Sequence, residues 1–197
     1  HFGCPLVGGD IASQPKPEDP LVLTITLLGR PHPTRGPVLR STAEPGDLVC
    51  VTGALGGSLD KERMGRHLTF EPRLREAAWL ATTLGDRLTA MMDISDGLGI
   101  DAGRMARASR VTIEIDADRV PRHDGVDLKN AIGDGEDYEL LFTVSPNAAL
   151  PPDCGDAGTP ITVIGRVIDG SDGPEPGVWL ITASGREDIS TVGFDHA

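Results

Sequence analysis

The sequence predicts an α/β chain of the α+β kind, a mixed sheet with helices packed on it, and three observations carry that expectation. Short runs of β-branched and aliphatic residues recur, as in DLVCVT, VTIEID and ITVIGRVI. Between them lie stretches whose apolar residues fall at helical spacing. The two kinds alternate without the strict strand–helix–strand rhythm of a parallel sheet, which points to layers around a mixed sheet.

The opening HFGCPLVGGD reads as the end of a buried segment running into a glycine turn. It has no initiating methionine, and we read it as a piece of a longer polypeptide. A polar, proline-rich stretch follows (IASQPKPEDP), then LVLTITLLG, residues 21–29, whose alternation and β-branched residues predict a strand. RPHPTRGPV, residues 30–38, is dense in Pro and Gly, so we place a domain boundary there, separating residues 1–30 from 31–197.

EPGDLVCVTGALGG predicts a turn, a short buried strand and a glycine-rich turn. EPRLREAAWLATTLGDRL has Leu74, Ala77, Ala81, Leu84 and Leu88 on one helical face, with Pro72 near its start, where proline is tolerated. In LGIDAGRMARASR, Leu98, Met105 and Ala108 can share a face, and Asp96 with Gly97 makes a helix entry in which the aspartate caps free N–H groups. VTIEIDADRVP, GEDYELLFTV, ITVIGRVI and GVWLITA predict four further strands.

Bulk properties narrow the function. The net charge is −12, from 30 acidic and 18 basic residues. Such a surface repels phosphate backbones and anionic lipid, so nucleic-acid and membrane binding are poor expectations. It suits hard cations and a nucleotide arriving as its magnesium complex. The 3 cysteines are far apart and the 5 histidines never approach metal-ligand spacing, so we expect no disulfide framework or zinc site, and a reducing cytoplasm.

Several motifs could carry chemistry. In AMMDISDGLGID, Asp93 and Ser95 point to one side of an extended backbone, and the bend at Asp96-Gly97 can swing a second carboxylate toward them. Two carboxylates near a helix N-terminus suit magnesium, with phosphate oxygens and water completing its shell. The same residues also suit a simple capped turn. LVGGD offers Gly9 and Asp10 as an anion-approachable turn with a further carboxylate, or as an ordinary turn. GALGGSL lacks the lysine of a Walker loop and reads as a turn. In GDGEDYELLF, Glu136 either grips a cationic ligand or faces water. Arg40 could counter nucleotide phosphates or be a lone surface arginine. Phe194 in GFDHA could cap a flat ring or anchor the tail.

The order LVGGD, LRSTAEPGDLVCVTG, EPRL, MDISDGL, GEDYELLF and GFDH resembles the thiamine-monophosphate kinase family, within the superfamily of aminoimidazole-ribonucleotide and selenophosphate synthetases. The resemblance covers nearly the whole chain. It implies a two-domain architecture in which residues 1–30 are the tail end of an N-terminal ATP-binding domain and 31–197 the C-terminal α/β domain. It implies ATP- and Mg2+-dependent phosphorylation of thiamine monophosphate to thiamine diphosphate, in a homodimer when complete. Carried over by position, Gly9, Asp10, Arg40 and Ser95 match ATP contacts. Asp10, Asp93 and Asp96 match magnesium ligands, the latter two at the catalytic centre, and Glu136 and Phe194 match substrate contacts. The alternatives are a sister ATP-dependent synthetase and a non-catalytic nucleotide-binding module.

Overall fold

The computed structural model describes residues 3–11, 16, 20–58, 65–169 and 176–195. The chain divides into two compact units, residues 1–30 and 31–197.

Among the described residues of the first unit there is no helix or strand. This corrects the strand expected over 21–29: Leu21, Leu23, Ile25 and Leu27 are all exposed. Alternation is a preference for pairing, and a strand is held by ladder bonds to a neighbour. No second described strand in this unit supplies them. Leu6 and Val7 are likewise exposed rather than ending a buried segment. Most of the proline-rich stretch 11–20 lies outside the described residues.

The second unit runs β1 (Leu48–Thr52), α1 (Leu74–Leu84), β2 (Leu88–Asp93), α2 (Leu98–Ser109), β3 (Val111–Asp116), α3 (Leu128–Gly133), β4 (Leu140–Val144), β5 (Ile161–Asp169), β6 (Val178–Thr182) and β7 (Gly185–Asp188). Its described strands form one 7-stranded sheet in the order β2-β4-β1-β5-β3-β6-β7. β3 and β6 pair in parallel, and the other neighbours are antiparallel, so the sheet is mixed.

Successive side chains on a strand point to opposite faces, and the central strands bury both. On β1, Val49 and Val51 pack with Leu98, Ala102 and Met105 of α2. Cys50 between them packs on the other face with Leu80, Ala81 and Leu84 of α1. On β4, Leu141 joins the α2 side, while Phe142 and Val144 join the α1 side. The result is helix, sheet, helix, with one core on each side.

Two helical faces differ from expectation. α1 ends at Gly85, whose φ of 53° closes it, so Leu88 is the buried first residue of β2, and Leu74 is exposed at the helix start. In α2 the packed face is Leu98, Ala102, Met105 and Ala106; Ala108 falls at its edge and is exposed. The glycines of GALGGSL do shape a turn after β1, with Gly53, Gly56 and Gly57 all at positive φ.

Candidate active site

β2 delivers Asp93 to the sheet's end as an exposed residue, and buried Ile94 then pins the chain before it turns into α2. The expected cap by Asp96 is not formed. Gly97 is the N-cap residue, with no side-chain cap bond. Instead the carboxylate of Asp101, one turn into α2, accepts the N–H groups of Ser95 at 3.0 Å and Asp96 at 2.9 Å. Helical side chains lean toward the N-terminus, so a carboxylate at this position reaches back over the turn. The Asp96 carboxylate is thereby left to pair with Arg104, which also holds Asp101.

The GEDYE segment lies alongside this turn and continues the β2–β4 ladder. Ile94 N–H donates to the Glu139 carbonyl at 2.8 Å, Tyr138 N–H to that of Ile94 at 2.8 Å, and Glu136 N–H to that of Ser95 at 2.7 Å. From the C-terminal tail, Phe194 N–H donates to the Asp96 carbonyl at 2.8 Å. Two glycines permit this approach. A Cβ on Gly135 (φ 72°) would meet the Ser95 and Asp96 carbonyl oxygens at 3.0 Å, and one on Gly193 (φ 150°) would meet the Asp96 oxygen at 2.5 Å. The turn carrying Asp93, Ser95 and Asp96 is thus laced by backbone bonds to two distant segments, those of Glu136 and Phe194.

The electrostatics agree. Burial first, and then the carboxylates of Glu136, Asp93 and Asp96, raise the Tyr138 phenol above its ordinary value. All three acids therefore share its surroundings. Tyr138 stacks on Phe70 with ring centroids 4.0 Å apart. Beside them opens a cavity of about 180 Å³, lined among others by Ser58, Arg66, Phe70, Arg73, Glu136 and Asp137.

The acids around this cavity are differently placed. Glu139 receives two bonds from Arg73, at 2.6 and 2.8 Å, and one from the Thr52 hydroxyl at 2.7 Å. The bond to Glu139 raises the already high Arg73 pKa further. Asp137 Oδ1 accepts from Gly56 N–H at 2.8 Å and the Ser58 hydroxyl at 2.7 Å. Its Oδ2 is buried with no hydrogen-bond partner among the described residues, and desolvation pushes the carboxyl up to about 6. The Glu136 side chain is 40% exposed and stands 3.7 Å from His67 Nδ1.

Within the second unit, Arg40 lies away from this turn. The Arg40 carbonyl accepts from the Ser109 hydroxyl at 3.1 Å, at the C-terminal end of α2, whereas the DISDG turn is at its N-terminal end. Gly9 and Asp10 belong to the first unit, where both are exposed and neither Gly8 nor Gly9 adopts positive φ. Phe194 is 56% exposed. Burial pushes the Cys50 thiol up to about 12 and Cys154 to about 11, so neither is a thiolate near neutral pH.

No group of three or more His, Cys, Asp or Glu among the described residues is placed to hold a metal by itself. Magnesium asks for less, since one or two carboxylates suffice when phosphate oxygens and water complete the octahedron. The acids at this helix start are exposed Asp93 and part-buried Asp96, whose carboxylate already pairs with Arg104.

Sequence reasoning missed Asp101, Arg104, Arg73 and Asp137. The spacing of Asp96, Asp101 and Arg104, five and then three residues, was the available signal for the first two. Nothing local announces the Arg73–Glu139 pair.

Comparison with known proteins gives these residues a setting. Residues 44–174 match the family model described as AIR synthase related protein, C-terminal domain, and the chain belongs to that family. Curated relatives of the chain include thiamine-monophosphate kinases. The protein of Rhodopirellula baltica is 37% identical over 97% of this chain and 58% of its own length. That of Pyrococcus horikoshii is 34% identical over 81% of this chain and 53% of its own. The chain thus spans little more than half the length of these relatives. Among solved structures, AaThiL complexed with AMPPCP and TMP superposes with a TM-score of 0.61 at 28% identity, over 81% of this chain and 54% of that one. The hydrogenase maturation protein HypE in complex with ATP reaches a TM-score of 0.60 at 16% identity, over 81% of this chain and 54% of that one, which shows a shared fold alone.

Proposed function

We propose that this chain is the C-terminal part of an enzyme that transfers the γ-phosphate of ATP to thiamine monophosphate, giving thiamine diphosphate. The observation that carries the proposal is the lacing of the DISDG turn to GEDYE and the Phe194 tail. It gathers metal-type carboxylates and a cation-type carboxylate at one end of the sheet. The named kinase relatives, and the neighbour bound to an ATP analogue and TMP, support it.

In this reading Asp93 and Asp96 hold magnesium, with Ser95 and the α2 start facing the nucleotide phosphates. Magnesium supplies charge neutralisation between crowded phosphates. The protein's own work is placement: the acceptor phosphate must lie in line with the γ-phosphate, and this transfer needs little covalent help. That phosphate is already largely ionised near neutral pH, so no general base is assigned. Glu136 faces the cationic thiamine ring system across the cavity mouth, and Phe194 covers it. Arg40, Gly9 and Asp10 complete the ATP contacts, and Asp10 the metal ligands, on resemblance alone. We further infer that residues 1–30 belong to an N-terminal ATP-binding domain, that the complete protein is a homodimer, and that it works in the cytoplasm.

The test is to incubate the full-length protein with magnesium, ATP and thiamine monophosphate and to follow thiamine diphosphate by chromatography, with Asp96→Ala beside it. Product that falls at least about 100-fold in the variant supports the reading, in the range seen when a transition-state electrostatic group is removed. Folded, ATP-binding protein that makes no product moves the reading to a sister reaction or a binding module.

A further inference from the structure

Asp137 has no role in the chemistry above, yet its surroundings are unusual. It sits between two residues, Glu136 (φ 54°) and Tyr138 (φ 53°), that hold left-handed backbone conformations without being glycine. Such geometry is unfavourable for side-chain-bearing residues and persists only where neighbours over-determine it. Here the neighbours are identifiable. Asp137 Oδ1 is fastened to the glycine turn after β1 through Gly56 N–H and the Ser58 hydroxyl, and Arg66 stands 3.7 Å away. Asp134 holds the next amide of the same turn, Gly57 N–H, at 3.0 Å. On the opposite side, the Glu136 and Tyr138 N–H groups are fastened to Ser95 and Ile94. The segment is therefore pulled from both sides across Glu136.

We propose that Asp137 is a positioning residue: its buried carboxylate ties the GEDYE segment to the glycine turn and so holds Glu136 in the left-handed conformation from which it faces the cavity. This rests on the reading of Glu136 as an acceptor-site residue.

Most buried polar side-chain atoms have a hydrogen-bond partner. Oδ2 of Asp137 is buried in a fully enclosed side chain and has no hydrogen-bond partner among the described residues. The bonds it accepts from Gly56 and Ser58 are both made through Oδ1. A charged acceptor grips amide and hydroxyl donors about twice as strongly as a neutral one. The nearby Glu139 cannot substitute, because Arg73 and Thr52 already occupy it.

The experiment compares Asp137→Asn, Ser58→Ala and Glu136→Gln in the full-length protein. It measures kcat, KM for thiamine monophosphate, KM for ATP, and amide exchange over residues 135–139. Asp137→Asn is expected to raise the acceptor KM roughly tenfold, as for one weakened charge-assisted bond, with the ATP KM within about twofold. Amide exchange at Glu136 and Tyr138 is expected to accelerate with it. Ser58→Ala, which removes one donor and leaves the acid, shifts both readouts the same way by a smaller factor. If Glu136→Gln raises the acceptor KM and Asp137→Asn does not, the positioning role is overturned. If Glu136→Gln leaves that KM unchanged, the acceptor-site reading has failed instead. Exchange then decides the tie alone, and unchanged protection at Glu136 and Tyr138 in Asp137→Asn overturns it.

Discussion

Asp101 and Asp137 are both buried carboxylates beside the candidate site, and they are opposites. Asp101 is fully enclosed, accepts two backbone N–H groups through one oxygen and pairs with Arg104 through the other. Asp137 places two donors on one oxygen, and its second oxygen has no partner among the described residues. The first is a keystone of the DISDG turn. The second is a buried charge that the fold tolerates at a cost. Burial alone does not say which role an acid plays; the partner of each oxygen does.

The largest effect that would test this contrast is Asp101→Ala. Removing it leaves the Ser95 and Asp96 N–H groups and Arg104 without their buried partner, a loss of about 3–5 kcal/mol. Equilibrium urea unfolding of the second unit, or of the full-length protein, reads it. A loss below about 1 kcal/mol would mean that solvent replaces Asp101 easily, and the keystone reading would fall.

Next is the pH dependence contributed by Asp137. Burial raises its folded-state value from an ordinary 3.8 to about 6. The folded state therefore binds the proton more tightly than the unfolded chain. Stability from this group is present in full below about pH 4 and declines as pH rises toward 6. Above that it is constant, and the total is about 3 kcal/mol. Arg66 opposes the shift and Glu139 reinforces it, both less than burial does. In Asp137→Asn this slope should vanish from unfolding curves taken between pH 4 and 7. A slope that survives in the variant belongs to another group.

A smaller effect comes from Gly135→Ala. A left-handed φ of 72° and a Cβ at 2.9 Å from the Asp96 carbonyl carbon both act against it. The expected cost is about 1–3 kcal/mol, combining backbone strain with a wedge between GEDYE and DISDG. Calorimetry reads the fall in Tm. An unchanged Tm would show that the two segments are free to separate.

How much of this was legible beforehand follows from where each signal resides. β1, β3, β5 and β6 are runs of β-branched and aliphatic residues, and such runs announce strands. β2 is LTAMMD, poor in β-branched residues and directly after a helix, so Leu88 read as helical. β7, GRED, is an exposed edge with no apolar face to show. The segment 21–29 had the pattern of a strand and no described partner. In the site, DISDG, GEDYE and GFDHA were visible as motifs because acids beside apolar runs are conspicuous. The Arg73–Glu139 pair spans 66 residues and exists only once α1 is docked on β4. The Asp101 reach-back depends on Gly97 at φ 125°, which no residue pattern states.

The smallest expected effect bears on whether the two acidic loops share one field. Phe70 covers one face of Tyr138 in a near-parallel stack at 18°. Phe70→Leu should cost about 1 kcal/mol, the usual worth of such a pair when half-exposed. The sharper readout is the phenol itself. This chain has 1 tyrosine, so its phenolate absorbance is assignable in the 197-residue polypeptide. Burial is the main cause that raises Tyr138, and Phe70 supplies part of that burial. The variant should therefore titrate closer to the ordinary 10.0 without reaching it, because Glu136, Asp93 and Asp96 still disfavour the phenolate. A full return to the ordinary value would mean that these three carboxylates do not act together on Tyr138. The DISDG and GEDYE acids would then be neighbours along the backbone only, and the case for a single charged site between them would weaken.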